Sequence, residues 1–174
     1  AAVASAAGFG TAVGFDMGGT STDVVLIREG QPELRSLTEV GGLPCMAPAL
    51  AVHTVGAGGG SIARLDAGGA MHVGPTSAGA WPGPAAYGHG GDQPTVTDAN
   101  VLLGRLSSLM GGGMPIDSEA ARRTMAPLGK DAAEAITKIV EANMERALRE
   151  VTVQQGVDPA AAAIIAFGGA GGLH

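Results

Sequence analysis

Apolar positions follow two rhythms along this chain. Between Asp131 and Gln154, the residues Ile136, Ile139, Val140, Asn143, Met144, Ala147, Leu148 and Val151 return every three or four positions. That period predicts one long amphipathic helix, ended by Gly156. Elsewhere the apolar runs are short. Thr11–Met17 reads as a buried strand, Val24–Arg28 and Glu33–Thr38 as strands around the turn Glu29-Gly30-Gln31-Pro32, and Ala161–Phe167 as a continuous apolar strand after the break at Asp158-Pro159. Residues 1–9 close a helix near Gly8, residues 40–50 are irregular, and residues 52–74 give two or three short strands around a glycine loop and the turn Ala67-Gly68-Gly69. Residues 75–94 form a long Gly/Pro-rich loop of the kind that is usually functional or mobile. Thr97-Asp98 caps a short helix through Arg105, and Asp117 or Ser118 caps another that ends near Met125. The pattern predicts a single α/β domain without internal repeat or linker.

Composition narrows the reading. At 174 residues the chain can bury roughly 70% of its unfolded surface, so it needs neither disulfide nor metal to fold. Ten basic residues against sixteen acidic ones, with no Lys/Arg cluster, exclude a general nucleic-acid footprint. No apolar run approaches the ~20 residues of a membrane span, and the start AAVASAAGFG, without Met or a basic region, reads as cut rather than targeted. Cys45 stands alone, which rules out a disulfide framework or thiolate zinc cluster and fits a reducing compartment, the cytoplasm. With 30 glycines and few aromatics, the chemistry is to be sought in glycine loops.

The first such loop interrupts GFDMGGTSTDVVLI, residues 14–27. A buried strand that ends in Asp16 and turns on Gly18 and Gly19 places a carboxylate and free N–H groups at one end of a sheet. Those N–H groups can cradle phosphate, and Thr20, Ser21 and Thr22 add hydroxyls. Asp16 would hold Mg²⁺ or its water shell rather than the anion. The same residues read equally well as a plain hairpin with solvated Asp16 and Asp23. No Gly-Lys-Ser/Thr follows, so this is not Walker A, and the glycine spacing is wrong for a dinucleotide fold. A second strand-to-glycine turn, Phe167–Gly172, supplies a partner, since two such turns in one sheet could hold opposite ends of a nucleotide.

Among other candidates, His53 could donate to a developing oxyanion, with the amides of Gly58, Gly59, Gly60 and Ser61 as a second anion nest; a half-buried strand histidine is the bland alternative. Asp98 reads best as a cap, and Asn143 as a buried amide bonded to neighbouring backbone. His72, His89 and His174 lack zinc spacing and read as ordinary, and Cys45 as a structural thiol.

The strings FDMGGTSTDV, HTVGAGGGSIA, VGPTSAGAWPGPAAYG, PTVTDANVLLGRL and AFGGAGGLH, in this order over nearly the whole chain, resemble the hydantoinase A/oxoprolinase family. More broadly they resemble the ribonuclease-H-like ATPases of actin, Hsp70 and sugar kinases. The resemblance implies a mixed sheet with packed helices forming one lobe of a two-lobed ATPase. Residues 1–174 would be its second half, truncated at both ends, with the first phosphate loop on an absent N-terminal lobe. It implies ATP and Mg²⁺, with Asp16, Gly18, Gly19 and Thr20 on the phosphate and metal side and Gly168, Gly169 and Gly171 on the adenosine side. It implies a cyclic amide or ketone substrate and a B-type partner subunit. Ala86, Gly172 and Trp81 depart from the family, standing where cysteine, proline and a polar residue are usual. A carboxylase subunit, a sugar or acyl kinase and a non-catalytic binding fragment remain as alternatives.

Overall fold

A computed structural model describes residues 1–109 and 112–174. Its centre is a mixed sheet. β1 (Thr11–Met17) pairs antiparallel with β2 (Thr22–Arg28) and parallel with β11 (Ala163–Phe167). The far side of β2 carries β3 (Gln31–Pro32) at one end and β8 (His53–Val55) at the other. Alternation along β1 explains why both faces are covered. Val13, Phe15 and Met17, with Val24 and Leu26, pack on Ile136, Val140, Met144, Ala147 and Val151 of α4 (Ala132–Val151). Ala12 and Ile27 face the other way, onto Ala4 of α1 (Ala2–Ala6). The parity of each strand therefore decides which layer a side chain serves.

β9 (Ser61–Leu65) and β10 (Met71–Ser77) form a separate hairpin, followed by α2 (Val96–Leu102) and α3 (Ser118–Met125), which pack together beside α4. No helix among the described residues is long and apolar enough to cross a membrane.

Five expectations need correction. The strand over Glu33–Thr38 is broken: β4 (Leu34–Arg35) pairs with β7 (Ala49–Leu50), and β5 (Thr38–Val40) with β6 (Leu43–Cys45). The hairpin turn after β2 occupies only Glu29 and Gly30, because Arg28 already pairs with Gln31, and the next residues leave the sheet. The short helix over 97–105 starts earlier, at Val96, because Thr95 is its cap. Asn143 is only half-buried and accepts a hydrogen bond from Arg146 Nη2 at 3.2 Å, so no backbone segment holds it. Nor is Cys45 a structural thiol, since it is exposed on the short β5–β6 hairpin.

Candidate functional site

Parallel pairing of β1 with β11 brings the two glycine bends to the same rim. Asp16 lies opposite Phe167, so the turns that follow each strand leave the sheet side by side. They also touch. Ala170 N–H donates to the Met17 carbonyl at 3.0 Å, and a Cβ on Gly168 would collide with the Asp16 carboxylate and the Met17 carbonyl. Gly168 also has φ +84°, so glycine is required there twice over.

The first bend is tight. Met17 pairs with Thr22, and Gly18 N–H donates to the Ser21 carbonyl at 3.0 Å. Among the described residues, the N–H groups of Gly19, Thr20 and Ser21 find no acceptor, and Gly19 and Thr20 are exposed. Three unspent donors in one bend form an anion cradle. Asp16 is half-buried just behind it. Register places Asp16, Asp23, Thr54 and Phe167 in one row on the α1 face of the sheet, and Thr54 Oγ1 donates to Asp23 Oδ1 at 2.5 Å. Cross-strand neighbours stand about 4.5–5.5 Å apart at Cβ, so the Asp16–Asp23 pair can share a divalent cation through its waters and bound phosphate, the way Mg²⁺ prefers. No cluster of three or more His, Cys, Asp or Glu side chains fit to hold a metal exists among the described residues, so an all-protein cage is not what this rim offers.

Three sequence expectations do not reach the rim. The Thr22 hydroxyl is fully buried and donates to the Ala57 carbonyl at 2.6 Å. His53 pairs with Val24, one register step from the Asp16–Asp23 row, so strand alternation turns it to the opposite, α4 face. The Gly58–Ser61 segment is not an anion nest, because each of its N–H groups is already used. Gly58 donates to Ser61 Oγ at 2.9 Å, Gly59 to the Gly18 carbonyl at 3.0 Å, Gly60 to the Gly19 carbonyl at 2.6 Å, and Ser61 to the Gly58 carbonyl at 3.0 Å. Its role is to clamp the first bend from behind. A Cβ on Gly58 would lie 2.7 Å from backbone atoms of Gly19 and Thr20, and glycine allows that approach. Gly169 and Gly171 meet no comparable crowding and stay at the second bend with Gly168.

Two residues read as ordinary or as a plain cap turn out to anchor the rim's supports. Asp98 is fully buried and forms a capping box with Thr95, and it also accepts from Ala86 N–H at 2.7 Å and Ala85 N–H at 3.4 Å. It thereby ties the loop before α2 to the helix, while burial pushes its carboxyl above the usual range. His174 Nε2 accepts from Asn100 Nδ2 at 3.2 Å, and its Nδ1 faces Glu141 Oε1 at 3.4 Å. Arg105 Nη1 bridges the same Glu141 oxygen and the Leu173 carbonyl at 3.0 and 3.2 Å, so α2 and α4 together hold the turn that follows the second bend. A histidine preceded by a glycine turn gave no signal of this, since its partners are far away in sequence.

Burial holds His174 below the ordinary histidine value, against the opposing pull of Glu141. The fold therefore prefers the neutral imidazole, whose contribution is whole above pH ~6.5 and is lost as pH falls from there toward the depressed folded value. Thermal unfolding measured at pH 7.5 and 5.5 should show a loss of stability at the lower pH that is smaller in His174→Gln than in the parent. An equal loss in both proteins would put the sensitivity elsewhere.

The sequence model of the family described as Hydantoinase/oxoprolinase matches residues 1–174. Crystallised ATP-dependent caprolactamase from Pseudomonas jessenii superposes with a TM-score of 0.89 at 41% identity, over 99% of this chain and 26% of that one. Nucleotide-free acetone carboxylase superposes with a TM-score of 0.88 at 29% identity, again over 99% and 26%. A 5-oxoprolinase of Dictyostelium discoideum is 37% identical over 93% of this chain and 14% of its own length. The chain thus spans about a quarter, or less, of the length of these proteins.

Proposed function

The chain belongs to the hydantoinase/oxoprolinase family, and from that premise we propose that it is the second half of an ATP-driven amidohydrolase subunit. It carries the phosphate and adenosine bends of one lobe in a two-lobed ATPase of the ribonuclease-H-like type, and the complete enzyme opens cyclic amides of the hydantoin or 5-oxoproline class. The observation that carries this reading is the shared rim, where two glycine bends meet with three unspent N–H donors and a carboxylate between them. The relatives named as ATP-dependent caprolactamase and 5-oxoprolinase support an amide substrate.

Each residue then has a task. The N–H groups of Gly19, Thr20 and Ser21 hold phosphate oxygens, and Gly168 lets the second bend close over Asp16. Asp16 and Asp23 would hold Mg²⁺, which neutralises phosphate charge when bound. Thr22, Gly58, Gly59 and Gly60 keep the first bend in shape and touch no substrate. Catalysis here is positioning and charge neutralisation. The phosphoryl group would pass from ATP to the amide oxygen with release of ADP. One water would add to the activated carbon, the ring C–N bond would break with the nitrogen leaving as the protonated amine, and a second water would release phosphate from the acyl phosphate that remains. An N-terminal lobe with a first phosphate loop and a partner subunit complete the site.

The test uses the complete protein with its partner subunit, ATP, and hydantoin or 5-oxoproline. ADP, phosphate and ring-opened acid should appear in equal amounts. Accumulation of a stable phosphorylated compound would replace the hydrolase by a kinase. Bicarbonate-dependent consumption of a ketone would replace it by a carboxylase.

A further inference from the structure

On the α4 face of the sheet, away from Asp16, lies a cavity of about 390 Å³ between α4, the end of β8 and β10. We propose that it is a binding site for a small aliphatic monocarboxylate, held by Arg146 and Asn143. Its occupancy is communicated to the rim through Val55–Gly60. The binding claim stands without the nucleotide reading.

The lining is mixed; its apolar part comes from Val55, Ala57, Met71, Val73 and Ile139, and none of the lining residues is an aromatic of the Phe, Tyr or Trp kind. Polar groups line it from two sides, with the His72 ring itself engaged by Asp66. Asn143 and Arg146 sit with Ile139 on one stripe of α4, and His72 comes from β10. Pockets of this size with an apolar body and a few converging polar groups are typical small-molecule sites.

The charge balance points to an anion. Arg146 makes no ion pair among the described residues, and its one hydrogen bond, to Asn143 Oδ1, leaves most of its donor fork unspent. Its helix neighbour Arg149 is by contrast paired with Glu145 at 2.8 Å. Two carboxylates flank this region and both are engaged: Asp66 has one oxygen facing His72 Nε2 at 2.8 Å and the other accepting from Gly68 and Ala70 N–H at 2.9 Å each, and Glu150, one turn along α4 from Arg146, accepts from Gln154 Nε2 at 2.5 Å. A single guanidinium fork matches one carboxylate, while a phosphate would call for the row of N–H groups that the rim has and this cavity lacks. The apolar side chains among the lining leave room beside the carboxylate for a short hydrocarbon body.

The route to the rim is short. Val55 pairs with Thr22, the Ala57 carbonyl receives the Thr22 hydroxyl, and Gly59 and Gly60 then grip the carbonyls of Gly18 and Gly19. A ligand against Val55–Ala57 presses on the segment that shapes the phosphate bend. It therefore acts as an effector, not as the reacting molecule.

The probe is pentanoate, with pentanamide as its neutral counterpart, titrated into the complete protein and followed by ligand-observed saturation-transfer NMR. Pentanoate should bind saturably, and at least tenfold more tightly than pentanamide. Arg146→Met should weaken pentanoate at least tenfold, Asn143→Leu should weaken it less, and Arg149→Met should leave it unchanged. Each variant's circular dichroism is compared with the parent's. Absence of saturable binding, equal affinity for the amide, or full affinity in folded Arg146→Met would overturn the proposal. Binding with no change in the Kd of ATP would overturn the link to the rim.

Discussion

In the complete protein, Asp16→Asn should lower ATP-dependent turnover by about 10²–10³-fold while leaving thermal unfolding close to the parent's. The substitution keeps the shape of the side chain and removes only its charge. The Asp16 carboxylate makes no hydrogen bond to a described residue, so the fold does not depend on that charge, and asparagine fits wherever the carboxylate lies beneath Gly168. On the proposed reading, a cation held between Asp16 and Asp23 would lose half its carboxylate partners. Asp23→Asn should cost less, because Asp23 already commits one oxygen to Thr54. Steady-state ADP release with each variant decides the matter, and parent-like turnover in Asp16→Asn would take this residue out of the site.

Asp98→Ala should be strongly destabilising, at about 3–5 kcal/mol. Its carboxylate accepts from Ala85 N–H, Ala86 N–H, Thr95 N–H and Thr95 Oγ1, all inside the protein. Truncation leaves those donors with neither acceptor nor water, and each buried donor without a partner costs about 1–3 kcal/mol. Urea unfolding followed by circular dichroism measures the loss. A change below about 1 kcal/mol would mean that the loop before α2 finds other acceptors, and that Asp98 is a replaceable cap.

Much of this architecture was legible in the chain. The period of Asp131–Gln154 foretold α4, and its apolar stripe is the one that packs on β1 and β2. The two strand-to-glycine turns predicted a common rim, which the register of Asp16 with Phe167 supplies. What failed was local reading of residues whose partners are distant. Gly58–Ser61 has the composition of an anion nest, yet its amides are spent on the neighbouring bend and on itself. Thr22 has the right chemistry for phosphate, but strand alternation turns it inward toward Ala57. His53 fell on the wrong face for the same reason of parity. Ala161–Phe167 reads as a continuous buried strand, yet β11 begins only at Ala163, and Ile164 and Phe167 are 55% and 51% exposed because β11 is the outermost strand among those described. An apolar run reports affinity for a core, not whether a neighbour is there to provide one.

The clamp behind the first bend bears on how the molecule comes together. The β1–β2 hairpin needs only neighbouring residues and can nucleate early, but Gly18 and Gly19 are gripped by Gly59 and Gly60, Gly59 in turn by Thr97, and Met17 by Ala170. Closing contacts over such separations is the slow part of folding. A chain emerging from the ribosome would thus own the turn long before it owns the cradle, and competence to hold an anion would be among the last properties it acquires.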